Sequence, residues 1–209
     1  MHRIVIADDH ILIRKGLIQV LKEEFPSAII EETSDAEALI KKVLSAEWDL
    51  VITDISMPGK SGLDILQEIK RHAPKLPVLV LSMFPEEQYA IRALKAGAAG
   101  YLNKMSAPEE IIKAIRTVSL GKKYITPLVA EQLAGNLLPD NEKALHESLS
   151  AREFEIFTLL AAGKSVSDIA EQVVLSTSSI STYRARILKK LHLRNNADII
   201  FYSLGHNMV

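Results

Sequence analysis

The chain has 209 residues, 48% apolar and 24% charged, with a formal net charge of −1, the composition of an ordinary folded protein of one large or two small domains. It has no cysteine, which excludes disulfides, thiolate metal sites and cysteine nucleophiles. The first apolar run is broken by Asp8-Asp9, too short for a signal peptide, and no stretch approaches the roughly 20 apolar residues of a membrane span, so a soluble, cytoplasmic protein is expected.

In chain order, apolar runs alternate with segments of helical period. Strands are predicted at Arg3–Ala7, Ala28–Glu32, Leu50–Thr53, Pro77–Leu81 and Ala99–Leu102. Between them, Ile11, Leu12, Leu17, Val20 and Leu21 lie on one helical face, as do Leu39, Ile40, Val43 and Leu44. Leu63, Leu66 and Ile69, then Ile91 and Leu94, then Ile111, Ile112, Ile115 and Val118 repeat the pattern. Asp35 and Pro108 stand at helix starts and Gly97 at a helix end. A β-α succession of this kind gives a doubly wound parallel sheet.

Beyond Gly121 the pattern lapses. Residues 122–147 are expected to link two domains, with Thr126 capping a short helix at Leu128–Leu133 and a mobile stretch from Gly135 to Glu147. Ser150-Ala151-Arg152-Glu153 is a capping box, with Leu149 placed as its staple. Phe154, Ile156, Phe157 and Leu160 follow, and Gly163 ends that helix. Ile169, Ala170 and Val173 mark a second helix, Val174-Leu175 a turn, and Ser176 the cap of a third helix buried through Ile180, Ile187, Leu188 and Leu191. Two helices joined by a tight turn form a helix-turn-helix. A fourth helix runs through Ala197, Ile199, Ile200, Phe201, Tyr202 and Leu204.

Five polar side chains end four of the apolar runs: Asp8 and Asp9, Asp54, Ser82 and Lys104. The carboxyl ends of the strands form one rim, where ligands bind in open α/β sheets. Three carboxylates there repel one another unless a cation intervenes. Mg²⁺, which takes oxygen ligands and phosphate, is the natural one. Asp54 can then attack a phosphoryl donor, with Ser82 and Lys104 meeting the developing charge. Taken singly, these residues could equally be helix caps, a turn before Pro58-Gly59 and a solvated lysine.

Charge divides unevenly along the chain. Residues 1–121 carry 15 Lys+Arg against 17 Asp+Glu, and residues 150–209 carry 7 against 5. From Ser176 to Arg194 there are five basic residues and no acid. Hydroxyl and small residues crowd the exposed turns of this third helix. Ser178, Ser179, Ser181, Thr182 and Ala185 are candidates to face base edges, and Arg184, Arg186, Lys189 and Lys190 to grip phosphates. The competing account is a solvated cationic face on a packed helical domain.

The strings Ile6-Ala7-Asp8-Asp9-His10, Thr53-Asp54-Ile55-Ser56-Met57-Pro58-Gly59, Leu81-Ser82 and Gly100-Tyr101-Leu102-Asn103-Lys104 resemble the receiver domain of bacterial response regulators. Leu149-Ser150-Ala151-Arg152-Glu153 and the stretch from Leu175 to Leu191 resemble the LuxR-type helix-turn-helix of the NarL/FixJ class. The resemblance implies a flavodoxin-like receiver of strand order 2-1-3-4-5 (residues 1–121), a linker (122–147) and a four-helix DNA-binding domain (148–209). It implies Asp54 as phospho-acceptor for a histidine kinase. Asp9 would bind Mg²⁺ directly, Asp8 through water, and Ser56 through its backbone carbonyl. Ser82 and Tyr101 would be a switch pair. Homodimers would form through the fourth helix, at Ile199, Phe201 and Tyr202, and bind paired DNA half-sites to regulate transcription.

The chain departs from the class in places. Met105 follows Lys104 where a proline is common, Ser178-Ser179-Ile180 replaces a Lys-Thr-Val string, and Tyr183 replaces a histidine. Phe84 stands where the class commonly has a residue that controls water access to the phosphate, so that its bulk is expected to slow autodephosphorylation; the competing account is that it packs on the receiver's fourth helix. Two other functions fit parts of the chain: a Mg²⁺-dependent aspartyl-phosphate phosphatase, and a DNA-binding regulator with a degenerate receiver. Ser56, where such phosphatases place a second Asp, argues against the first, and the complete rim against the second.

Overall fold

The computed structural model describes residues 3–57, 62–135, 144–206 and 208. The chain divides into two compact units, residues 1–138 and 139–209.

The first unit is built on five parallel strands, β1 (Arg3–Ala7), β2 (Ile29–Thr33), β3 (Leu50–Thr53), β4 (Val78–Ser82) and β5 (Gly100–Asn103). Their order is β2-β1-β3-β4-β5, the doubly wound order the resemblance implies. Ile4 pairs with Leu50, Ile52 with Leu79 and Leu81 with Leu102. Three strands lie one residue later than the sequence pattern predicts. Ala28 belongs to a turn, its N–H donating to the Phe25 carbonyl, while Ser82 pairs with Asn103 and extends the ladder toward the rim.

Helices α1 (Ile11–Glu24) and α5 (Pro108–Ser119) supply Leu17, Leu21, Ile111, Ile115 and Val118 to a core with Ile4, Ile52, Leu79 and Leu102. The alternate strand residues Val5, Val51 and Val80 are also buried, and by alternation they face the opposite side. Helices α2 (Ala36–Ser45), α3 (Gly62–His72) and α4 (Glu86–Lys95) pack in series. Burial on both faces is why the strands are uninterrupted apolar runs. Asp35 caps α2 by accepting from Ala38 N at 2.8 Å, Pro108 opens α5, and Gly97 leaves α4 at φ +108°.

The segment after α5 differs from its sequence expectation. Tyr124 is buried, donates its N–H to the Ala99 carbonyl and bridges Gly100. Thr126 donates to Glu86 Oε2 at 2.7 Å and stands at the start of α6 (Pro127–Gly135). Val129 is buried, and Gln132 reaches the Glu87 carbonyl. Residues 122–135 are therefore docked on the first unit rather than forming linker, because Tyr124 and Val129 have apolar surface to bury. The remaining linker expectation, at 136–143, lies outside the described residues, as do Pro58 and Gly59.

The second unit opens with a single 3₁₀ turn (Leu145–Ser148). Then come α7 (Ala151–Ala161), α8 (Val166–Gln172), α9 (Thr177–Lys190) and α10 (Asn196–Gly205). Helix α7 packs on α9 and α10, and α8 on α9, around Phe154, Phe157, Leu160, Ile169, Ile180 and Ile187. The capping box at Ser150 and Glu153 is formed, and a second one joins Ser165 and Asp168 at α8. Val174 takes the α8–α9 turn at φ +52°, a left-handed conformation in a β-branched residue.

Candidate functional site

The rim forms because β1, β3, β4 and β5 are adjacent parallel strands whose carboxyl ends share one edge of the sheet, with β4 and β5 running on as far as Ser82 and Asn103. Asp8 and Asp9 follow β1, Asp54 follows β3, Ser82 ends β4 and Lys104 follows β5. Lys104 Nζ bridges Asp8 Oδ2 and Asp54 Oδ2 at 2.7 Å each, with the three side chains 1%, 7% and 2% exposed. Asp54 Oδ1 accepts from Ser56 N at 3.1 Å. Burial raises the Asp54 carboxyl above its ordinary range, and Lys104 opposes that rise. One buried ammonium is thus the main charge set against the cost of burying this carboxyl group.

Carboxylate oxygens of Asp8, Asp9 and Asp54, with a ring nitrogen of His10, lie within 4.8 Å of one another. His10 Nδ1 stands 2.7 Å from Asp9 Oδ1 without hydrogen-bond geometry, and this buried oxygen has no hydrogen-bond partner. The oxygen-rich donor set, with one oxygen free to ligate, fits a hard divalent cation.

Two residues that the sequence pattern did not single out shape this rim. Arg14 on α1 donates through Nη1 to the Asp8 carbonyl and through Nε to Glu32 Oε2 at 2.8 Å, pinning the β1–α1 loop to β2. Gly62 opens α3 where a Cβ would meet Ile55 Cα at 2.3 Å, so only glycine lets this helix approach the segment after Asp54. A buried-side arginine one turn into α1, and a glycine preceding Leu63, were the available signals.

Ser82 and Tyr101, expected as a pair, meet around the Phe84 backbone. Ser82 Oγ accepts from Phe84 N at 3.3 Å, and the Tyr101 hydroxyl donates to the Phe84 carbonyl at 2.9 Å. Burial holds the Tyr101 phenol far above its ordinary value, and a hydrogen bond with Ser82 opposes this. The ring is fully inside the protein. The Phe84 ring stacks on Tyr89 of α4, with centroids 4.6 Å apart.

In the second unit, α9 exposes Ser178, Ser181, Thr182, Ala185, Arg186 and Lys189, while Ser179 is half-buried. Arg184 Nε donates to Asn196 Oδ1 at 2.5 Å, tying α9 to the start of α10. Lys190 Nζ pairs with Glu153 Oε2 at 2.6 Å and reaches the Ser148 carbonyl, tying α9 to the α7 cap. These two cations are paired within the unit, Lys190 while still 40% exposed, whereas Arg186 and Lys189 are exposed and carry no ion pair among the described residues. Sequence reasoning also passed over Arg152. Buried, it pairs with Glu155 at 2.8 Å and donates to the Val173 carbonyl at 2.9 Å, fixing the turn into α9.

The expected dimerisation residues divide. Ile199 is fully buried against the core and offers no surface, because it shares an inward helical face with Ser203, four residues on. Tyr202 is half-buried, its hydroxyl accepting from His146 N at 3.2 Å and its ring stacked on His206. Phe201 alone of the three points outward, 74% exposed, with Leu204 beside it.

Residues 4–116 match the family described as response regulator receiver domain, and residues 147–203 the one described as bacterial regulatory proteins, luxR family. The whole chain is 32% identical to response regulator UvrY of Escherichia coli K12, covering 96% of that protein. It is also 32% identical to response regulator GacA of Pseudomonas aeruginosa, covering 98%. Among solved structures it resembles RcsB of Salmonella enterica serovar Typhimurium bound to promoter rprA in the presence of phosphomimetic BeF3⁻. The TM-score is 0.66 at 27% identity, over 97% of this chain and 98% of that one.

Proposed function

From the premise that this chain belongs to the response regulators, with a receiver domain followed by a LuxR-type DNA-binding domain, we propose that phosphorylation of Asp54 by a histidine kinase controls how its second unit binds DNA. The observation that carries this is the buried bridge of Lys104 to both Asp8 and Asp54. It sets a buried ammonium against the Asp54 carboxyl group at a strand end, beside oxygen ligands for a cation.

Asp9 and Asp54, with Asp8 behind them and the Ser56 backbone carbonyl, would hold a Mg²⁺ ion, which when bound would supply positive charge to the phosphoryl oxygens. Asp54 attacks phosphorus, a P–O bond forms, and the P–N bond to the kinase's histidine breaks, leaving the electron pair and a proton on that imidazole. Lys104 stays beside the new aspartyl-phosphate as a counter-charge. The product adds about −1.5 to −2 charges at the rim. Ser82 Oγ then turns from Phe84 N toward a phosphoryl oxygen, and Tyr101 follows into the space released.

In the second unit Ser178, Ser181, Thr182 and Ala185 face base edges, while Arg186 and Lys189 contact phosphates. The RcsB–promoter complex supports this use of the fold. Phe201 and Leu204 supply the apolar contact of a phosphorylation-dependent homodimer on paired half-sites, with Tyr202 at its margin. DNA as a target places the action in the cytoplasm. The chain is regulatory, and Ser56, lacking a carboxyl for general-acid work, fits a nucleophile that keeps its product.

The test is intact mass after incubation with Mg²⁺ and a small phosphodonor, followed by operator binding. One added phosphate that is absent in Asp54→Ala, together with altered operator affinity, supports the proposal. Phosphate retained in Asp54→Ala refutes it.

A further inference from the structure

The opposite end of the same sheet gathers positive charge. Asp49, Pro77 and Ala99 directly or nearly precede β3, β4 and β5, and with the C-terminal ends of α3 and α5 they wall a cleft of about 490 Å³. Sites for small molecules run about 300–1,000 Å³. Lys70, Lys75, Lys122 and Lys123 line it against one carboxylate, Asp49. That carboxylate already accepts from Arg3 N at 2.8 Å. Among the described residues, none of the four lysines has a carboxylate partner.

Two of these lysines are held by backbone carbonyls. Lys70 Nζ donates to the Leu76 carbonyl at 2.5 Å and the Pro74 carbonyl at 3.4 Å, and Lys123 Nζ to the Ala98 carbonyl. Gly97 clears the path, since a Cβ there would stand 2.9 Å from Lys70 Cγ. Burial and then the Lys123 charge push the Lys70 ammonium below its ordinary range. Lysines near helix C-termini are favoured by the helix dipole, which accounts for one ammonium per helix end. It does not account for four around one concavity, two of them repelling. Carbonyls solvate an ammonium without neutralising it.

We propose that this cleft binds a small pyrophosphate-bearing anion, of the class of a nucleoside diphosphate, with Lys70 innermost and the exposed Lys75, Lys122 and Lys123 around it. A diphosphate carries two to three charges on a group that four ammonium ions can surround. The site is separate from Asp54, at the other ends of the strands, and needs no Mg²⁺.

Trp48, the chain's single tryptophan, adjoins Asp49 and reports on this end. The full chain in EDTA is titrated with pyrophosphate at constant ionic strength, followed by Trp48 fluorescence and by the amide resonances of Ala99 and Gly121. The expected result is a saturable change centred on those amides, at least about ten-fold weaker in the double variant Lys70→Gln/Lys123→Gln. Lys122→Gln, at an exposed position that leaves the fold intact, weakens binding by a smaller factor, and Asp54→Asn leaves it unchanged. An equal response to chloride, an unaltered midpoint in both lysine variants, or shifts centred on the Asp54 rim overturns the proposal.

Discussion

Replacing Lys104 with methionine keeps the side chain's length and removes its charge from between two buried carboxylates. At an effective dielectric of about 20, a contact of 2.7 Å is worth about 6 kcal/mol of gross attraction. Lys104 makes two such contacts, but returning its ammonium cost to water and relaxing the carboxylates offset most of that. Removing one partner of a buried ionic cluster costs a net of about 3–5 kcal/mol. This is a large part of the about 5–15 kcal/mol that holds a domain folded. The deficit depends on pH with a definite sign. Burial already raises Asp54 above its ordinary value of 3.8, with Lys104 opposing. Without Lys104 the folded carboxyl rises further, so the folded state takes up a proton before the unfolded one does. The deficit is then full above the raised pKa and shrinks as pH falls through it. Urea unfolding followed by Trp48 fluorescence reads the first unit alone, because that unit holds the only tryptophan. Compared at about pH 7.5 and about pH 5, the gap between Lys104→Met and the parent narrows, and Mg²⁺ stabilises the variant through the Asp8, Asp9 and Asp54 cluster. A gap below about 1 kcal/mol at neutral pH, or one that ignores pH, would refute the argument.

Four further outcomes are expected. Arg152→Met removes the cation that pairs with the buried Glu155 and the donor to the Val173 carbonyl, and costs the second unit about 3–5 kcal/mol in thermal unfolding. Adding Glu155→Met returns most of that loss, whereas an additive double variant contradicts the pairing. Val174→Gly relieves a β-branched residue at φ +52° and stabilises the second unit by about 1 kcal/mol, measured by denaturant midpoint. Burial alone would raise the Glu153 carboxyl, but Lys190 and the Ser150 groups outweigh it and hold it below 4.5. The stability it lends is complete above pH 4.5 and is lost as pH falls through the lower folded pKa, a loss that Glu153→Gln abolishes in an acid titration of helicity. Alanine at Arg186 or Lys189 lowers the slope of operator affinity against salt by about one phosphate contact each. Lys190→Ala instead lowers stability through Glu153, with a smaller effect on the slope.

The strands were legible because both sheet faces are buried, which turns each strand into an apolar run such as Val78–Leu81 that no helix period imitates. Their polar terminators followed from that, so Asp8, Asp54, Ser82 and Lys104 could be placed at one rim before any contact was known. What escaped depends on partners distant in the chain. Arg14 gains its meaning from Glu32 on another strand, Lys190 from Glu153 on another helix, and Tyr124 from the backbone of Ala99. Helix α6 looked like linker because Lys122-Lys123 and Pro127 dominate its approach, while its burial falls on isolated residues such as Val129. Ile199 was misassigned because an apolar helix shows how much surface must be covered, and not by which neighbour. Arg152 and Glu155, three residues apart, had the spacing of a surface ion pair, and only the packing of α7 on α9 and α10 puts them inside.

The loop after β4 divides one residue between two tasks. The Phe84 main chain offers its N–H to Ser82 and its carbonyl to Tyr101, whereas the Phe84 ring belongs to the packing on Tyr89. Every amino acid except proline carries the same main-chain donor and acceptor. Substitution at this position can therefore change the packing on α4 while leaving intact the main-chain contacts to Ser82 and Tyr101. The packing of this loop on α4 and its grip on the ends of β4 and β5 are thus separable, and either can change across a lineage while the other is kept.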